Sequence, residues 1–264
     1  MRAEQASGRF LADVETNGSA ALSIQEDAGL LQDHGGLPNL ARVPATLRSD
    51  GLWIPLSVGA SGILINTDMV AAADVPKSWY DLLNPKWRGK LLSDDPRAAG
   101  GGYTLLNVLY ENIDEGLPAK ILAQKPIIAR DTPAVSGRRI ARGEFPIFIT
   151  MTLNDVGALR GLPVKFVVPQ EGAPFVITSG ALLKNAPNRN AGRLLLNFLL
   201  SDDAMREYVK AGVLPAIDIA GERSPEMEEF RHIKLLNRSK DWRLQTKHMN
   251  MFAAMMEAED KKGK

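Results

Sequence analysis

The 264-residue sequence has no cysteine. That single absence removes disulfides, thiolate nucleophiles and cysteine-based metal sites, and it leaves the redox compartment open. Histidine is nearly absent too: His34, His232 and His248 lie far apart, with no His-x-x-x-His spacing of the kind that places two ligands on one helix face. No apolar run approaches the roughly 18 residues of a membrane-spanning helix. Residues 1 to 12 lack the apolar stretch of a signal peptide. Charge of one sign is also missing, since 32 basic residues face 31 acidic ones without a long single-sign block. Nucleic acid and anionic membrane surfaces are therefore not expected partners.

Motifs of catalysis are absent as well. Gly59-Ala60-Ser61-Gly62 is not a Gly-x-Ser-x-Gly elbow. Gly100, Gly101 and Gly102 are contiguous, so they match neither the dinucleotide fingerprint nor a nucleotide-binding loop ending in Gly-Lys-Ser/Thr. The residues suggest a binder with no cofactor and no metal, not an enzyme.

What is present is an ordinary globular composition, 45% hydrophobic and 24% charged, enough for one large or two modest domains. Periodicity predicts a helix over 2 to 12, a turn at 16 to 19, and a short helix over 20 to 26. Strands follow at 52 to 58 and 63 to 65, separated by residues 59 to 62. Further strands are expected near 126 to 129, 145 to 152, 164 to 168 and 175 to 177, with helices over 104 to 115 and 133 to 141. A long helix is expected over 191 to 211, its stripe of Leu194, Leu195, Phe198, Leu199, Met205, Tyr208 and Val209 facing a core. The tail from Ser224 to Glu259 reads as mostly helical. Strands alternating with helices imply an α/β fold with a largely parallel sheet, which binds ligands outside the carboxyl ends of its strands.

Two segments carry binding chemistry. Ser93 to Thr104 ends in three glycines just before a helix, leaving backbone N–H groups bare at the positive end of a helix dipole, with Arg97 nearby. That is an anion cradle, formed by Gly100, Gly101, Gly102 and Tyr103 through their N–H groups. Asp131 to Ala141 repeats the theme: Thr132 and Ser136 offer hydroxyls, and Arg138 and Arg139 offer charge. Thr132 followed by Pro133 is also a simple N-cap, and capping and ligand binding can coexist. Asp94 and Asp95 suit an N-cap. Together with Asp131 and Asp155 they keep a cationic ligand open.

The run Trp79-Tyr80-Asp81-Leu82-Leu83-Asn84-Pro85-Lys86-Trp87-Arg88-Gly89-Lys90, then Asp95-Pro96 and the glycines, resembles the extracellular solute-binding proteins of ATP-driven importers. So do Gly143-Glu144-Phe145-Pro146-Ile147, Pro169-Gln170-Glu171-Gly172 and Asn188 to Ala204. The nearest branch is that of ferric iron, polyamines, phosphonates and sugar phosphates. The resemblance implies a two-lobed α/β periplasmic-binding fold of type II, each lobe a sheet flanked by helices, with two crossover strands near 65 to 68 and 172 to 177. The first lobe would be residues 1 to 68 plus 175 to 264, lacking its opening strand–helix–strand, and the second 69 to 174. The glycines and Thr132 to Arg139 would face the ligand, with Ser61 and Thr150 contributing from the hinge side, and the tryptophan-rich run would pack the second lobe. A small polar, anionic solute, a membrane permease as partner, a periplasmic location and a monomeric state are implied; the alternatives are a polyamine- or metal-complex-binding protein, or a truncated family member acting only as an interaction module. Leu153 and Asn154 stand where iron-binding members carry paired tyrosines, and the four tyrosines, Tyr80, Tyr103, Tyr110 and Tyr208, are scattered. Iron, which wants anionic oxygens, is disfavoured.

Overall fold

A computed structural model describes residues 7–237 and 241–262. Two compact units emerge, Met1–Val58 with Val176–Ser224, and Gly59–Phe175 with Pro225–Lys264. The chain crosses between them within two long strands, Trp53–Asn66 and Ala173–Leu183, and once more between Ser224 and Pro225. The first crossing lies earlier than the expected 65 to 68. Pairing explains this: Ser57 and Val58 pair with Pro215 and Leu214 of the first unit, whereas Ser61 to Asn66 pair with strands of the second.

The first unit contains β1 (Val14–Gly18), α1 (Ser19–Asp27), β2 (Leu31–Gln32) and the first half of β3 (Trp53–Asn66). β1 and β2 both pair antiparallel with the later part of the strand Ala173–Leu183. The turn expected at 16 to 19 is thus strand running directly into a helix. Residues 7 to 13 are turn and irregular chain, while residues 2 to 6 of the helix expected over 2 to 12 lie outside the described residues. The core of this unit gathers Ile54, Leu56, Leu182, Leu196, Leu200 and Met205. The helix expected over 191 to 211 is two, Arg189–Leu199 and Asp202–Lys210, because Ser201 breaks the chain and caps the second by accepting from the Ala204 N–H. The rotation at that break undoes the expected stripe. Leu196, Leu200 and Met205 are buried, but Leu194 is 71% and Phe198 52% exposed.

The second unit holds the sheet that positions the site. β4 (Leu91–Asp94) runs parallel to β5 (Ile127–Ala129) on one side and to β6 (Ile147–Thr152) on the other. β6 pairs antiparallel with β3, and so does β7 (Val164–Val167). The sheet is therefore mixed, not largely parallel. The glycines expected to separate two strands instead lie inside one continuous β3. Gly62 is needed there, since a Cβ would come within 2.6 Å of the Phe166 ring and 2.8 Å of the Val167 carbonyl oxygen.

Helices α2 (Gly101–Asn112) and α3 (Leu117–Ala123) bury Leu105, Leu106, Leu109 and Ile121 in a core with Ile63, Leu91, Ile147 and Ile149. The C-terminal helix Trp242–Lys262 adds Phe252 to this core. Residues 225 to 264, grouped by the resemblance with the first lobe, accordingly belong to this unit. The expected helical tail contains two helices, Pro225–Arg231 and Trp242–Lys262, with a short strand, Leu235–Leu236, between them.

The tryptophan-rich run is scaffold. Trp79 is fully buried and its indole N–H donates to the Gly172 carbonyl at 2.9 Å. The Glu171 carboxylate accepts from the Ser78 hydroxyl and from the Trp79 N–H. Two segments 92 to 93 residues apart in sequence thus clamp each other. Gly172 sits at φ +114, and a Cβ there would meet the Lys234 carbonyl at 2.6 Å, so only glycine closes this corner without strain.

Candidate binding edge

Because β6, β4 and β5 are parallel, their carboxyl ends share one edge of the second unit. Each is followed by a helix: α2 after β4, α4 (Pro133–Ala141) after β5, and α5 (Leu153–Val156) after β6. Three helix N-termini therefore line up where strand backbones end.

The α2 terminus is built from glycine for steric reasons that act on the backbone. Gly100 occupies the cap in extended geometry and supplies no side-chain hydrogen bond. The helical ladder begins with Thr104 N–H donating to the Gly100 carbonyl at 2.9 Å. A Cβ on Gly101 would collide with the Asp94 carboxylate, and one on Gly102 with the Asp94 carbonyl oxygen. The glycines are thus what lets the helix start rest on the end of β4. Tyr103, in contrast, turns its side chain inward: it is fully buried, with its ring 6.3 Å from that of Phe252. Its ring belongs to the core, so any part it takes in binding comes from its backbone.

Asp94 does something other than the N-cap role its place in the sequence suggests. It is not the N-cap, yet its carboxylate lies over the first residue of α2. Its N–H donates to Thr150 Oγ1 at 3.1 Å. Burial pushes its carboxyl up to about 6, against the lowering effect of a hydrogen bond with Thr150, and the nearby Asp155 carboxylate raises it further. Asp155, in the first turn of α5, accepts from the Thr152 hydroxyl. Asp95 is held low instead, chiefly by its hydrogen bonds with Arg97. Arg97 grips it in a fork, Nε to Oδ1 at 2.8 Å and an Nη2 to Oδ2 at 2.7 Å. The guanidinium expected to serve a ligand is already serving a neighbour.

The α4 terminus is different. Thr132 is exposed at the cap but its side chain makes no capping bond, and Pro133 fills the first helical position. Ser136 is fully buried and its hydroxyl has no hydrogen-bond partner. Arg138 lies in the last turn of α4, exposed, so helix geometry carries it away from the terminus to which sequence adjacency had assigned it. Arg139 is tied to Glu144 and Asp131, which holds its guanidinium firmly in the charged form, Glu144 most of all. Arg130, directly after β5, is an exposed guanidinium at the edge that acts on Asp95. Its signal in the sequence was position alone, the first residue past a strand.

Register places the remaining candidates. Ser61 pairs with Thr152 across β3 and β6, so both point to the same face, and Thr150, two residues earlier, shares it. Asp94 and Thr150 are joined by hydrogen bonding on the neighbouring parallel strand. Ser61 is fully buried with an unpartnered hydroxyl. The structure thus brings together Asp94, Gly101, Gly102 and Thr150, with Gly100 at the cap of α2, Ser61 two strands away from Asp94 in the sheet, and Thr132 and Ser136 at the start of the next helix along the edge. Leu153, in one of the two positions compared with paired tyrosines, is fully buried. Among the described residues no group of three or more His, Asp or Glu side chains is arranged to hold a metal, and no helix is long and apolar enough to cross a membrane.

Residues 17–236 match the family described as bacterial extracellular solute-binding protein. The chain is 28% identical over 219 residues to iron uptake protein A2 of Synechocystis, covering 74% of this chain and 62% of that one. Over 188 residues it is 29% identical to the spermidine/putrescine-binding periplasmic protein of Escherichia coli, covering 66% and 52%. It thus spans only between half and two thirds of these relatives' lengths. The periplasmic binding protein AfuA of Actinobacillus pleuropneumoniae, solved with exogenous fructose-6-phosphate bound, superposes with a TM-score of 0.76 at 22% identity, covering 97% of this chain and 84% of that one. That likeness shows the fold. The chain belongs to the bacterial extracellular solute-binding family.

Proposed function

We propose, from this membership, that the protein is the solute-capturing component of an ATP-driven importer and hands its ligand to a membrane permease outside the cytoplasm. Binding is non-covalent, and the ligand is a small polar, anionic solute bearing phosphate or carboxylate. The carrying observation is that α2 and α4 both begin at one sheet edge without a side-chain cap, beside buried hydroxyls of Ser61 and Ser136 that lack partners. Uncapped N–H groups are donors aimed at an acceptor, and the dipole of each helix favours a negative one. Hydroxyls can then orient the ligand through bonds that the free protein leaves unmade.

A second reading rests on one observation of opposite sign. Asp94 and Asp155 put carboxylates at the same edge, which suits an ammonium group. A melting-temperature panel separates the two: sugar phosphates, phosphonates and dicarboxylates on one side, spermidine and putrescine on the other, with ferric citrate as a third class. The anion reading expects salt-sensitive stabilisation by the first group alone. Stabilisation by the polyamines alone would replace it with the second reading.

A further inference from the structure

We infer that Asp94 sets which charge the binding edge accepts: its ionised carboxylate takes the place of a ligand anion at the start of α2, and its protonated form leaves that terminus open to one. The inference rests on the anion reading above and adds a proton to it.

Asp94 closes β4, its N–H is fixed by Thr150 Oγ1 at 3.1 Å, and its carboxylate packs on Gly101, the first residue of α2. Gly100 leaves that helix without a side-chain cap. The negative group standing at the positive end of α2 is therefore the chain's own. A ligand anion seated at the first turn of α2 would meet the carboxylate within a few ångströms, where like charges repel by about 1 kcal/mol in water and several times more in a partly buried site. An independent observation marks the place as one built for a ligand. Ser61, on the same face of the sheet, is fully buried with no partner for its hydroxyl.

The surroundings leave Asp94 free to change state. From α5 it faces Asp155, whose like charge opposes ionisation, and from β6 the neutral Thr150. Asp95, the neighbouring carboxylate, is neutralised by Arg97, with Arg130 acting on it as well. No cation is among the groups that shift Asp94, and burial dominates, placing its titration at about 6. An anion that requires the protonated form binds in proportion to the fraction protonated. Affinity then falls with rising pH, and one proton enters with each anion bound near neutrality.

Sulfate is a suitable probe because its charge is constant across the range. Titration calorimetry of the whole chain at pH 5.0 and pH 7.5, in buffers of two ionisation enthalpies, is expected to show sulfate binding at least tenfold tighter at pH 5.0, with uptake approaching one proton at pH 7.5. Asp94→Asn, and Asp94→Ser should the first variant fold poorly, should bind sulfate equally at both pH values and at least as tightly as wild type at pH 5.0. Wild-type affinity indifferent to pH, or a variant that keeps the pH dependence, overturns the role of Asp94 while leaving the anion reading standing. Sulfate bound by neither wild type at pH 5.0 nor the variants overturns both.

Discussion

The starts of α2 and α4 look alike in sequence and differ in what the fold does with them. Each follows the carboxyl end of a parallel strand, and each begins without a side-chain hydrogen bond to its cap. At α2 the preceding strand supplies a carboxylate, and the only nearby arginine in sequence is held by Asp95. At α4 the preceding residues supply an exposed Thr132, an exposed Arg130 and a buried, unpartnered Ser136. The richer glycine motif is thus the one that already has a carboxylate of its own chain beside it.

Glycine substitutions sharpen this contrast most. At the start of α2, Gly102→Ala would drive a Cβ into backbone atoms of Asp94 and Asp95. A loss of roughly 2–4 kcal/mol is expected, because strand and helix must separate. In α4, Gly137→Ala meets Leu159 Cδ1 at 2.8 Å, a side-chain tip that can swing aside, and about 1 kcal/mol or less should be lost. Gly100→Ala meets nothing within 4 Å and should be near neutral. Chemical denaturation of the three variants measures the series, and equal losses at 102 and 137 would break the claim that α2 is pressed on its strand.

The next effect is electrostatic. The folded state raises the Asp94 pKa from 3.8 to about 6, so the folded protein binds this proton more tightly than the unfolded chain does. Stability from this group is therefore lost as pH rises from about 4 to about 6, and stays low above that window. Asp94→Asn should remove this fall and gain on the order of 2 kcal/mol over wild type at pH 7, with the gain vanishing near pH 4. Melting curves across pH 4 to 8 check it, and a variant less stable than wild type at pH 7 would show that the ionised carboxylate stabilises α2 after all.

At α4 the expected effects are smaller. Ser136→Ala removes a buried hydroxyl without a partner, so stability should hold or rise by up to about 1 kcal/mol while affinity for the stabilising solute drops several-fold. Thr132→Ala should cost less than about 0.5 kcal/mol, below the usual loss for a cap, since its side chain makes no capping bond. Arg97→Ala removes an exposed ion pair and belongs in the same small range.

How much of this was legible in the sequence follows from which interactions are local. The alternation of strands and helices, the glycines at a helix start and the burial of Trp79 and Trp87 come from nearby residues and from strong apolar signals, and all appear in the structure. For Tyr103 only the backbone N–H is expected to serve a ligand, and its spacing with Leu106 and Tyr110 already puts its ring on the core stripe of α2. Leu194 and Phe198 misled because helical period was continued through Ser201, where a cap resets the phase. The continuity of β3 and the grouping of Phe252 with the second unit depend on pairings and packing across long stretches of chain, which no local pattern encodes. Asp94 falls between these cases. Its carboxyl chemistry was visible, but its place over Gly101 needed the fold.

The most direct test of a ligand edge at the ends of β4, β5 and β6 is amide hydrogen exchange with and without whichever solute raises the melting temperature. The account predicts that protection increases at residues 100–104 and 132–136 together. Unchanged exchange in both segments, with new protection confined elsewhere, would contradict it.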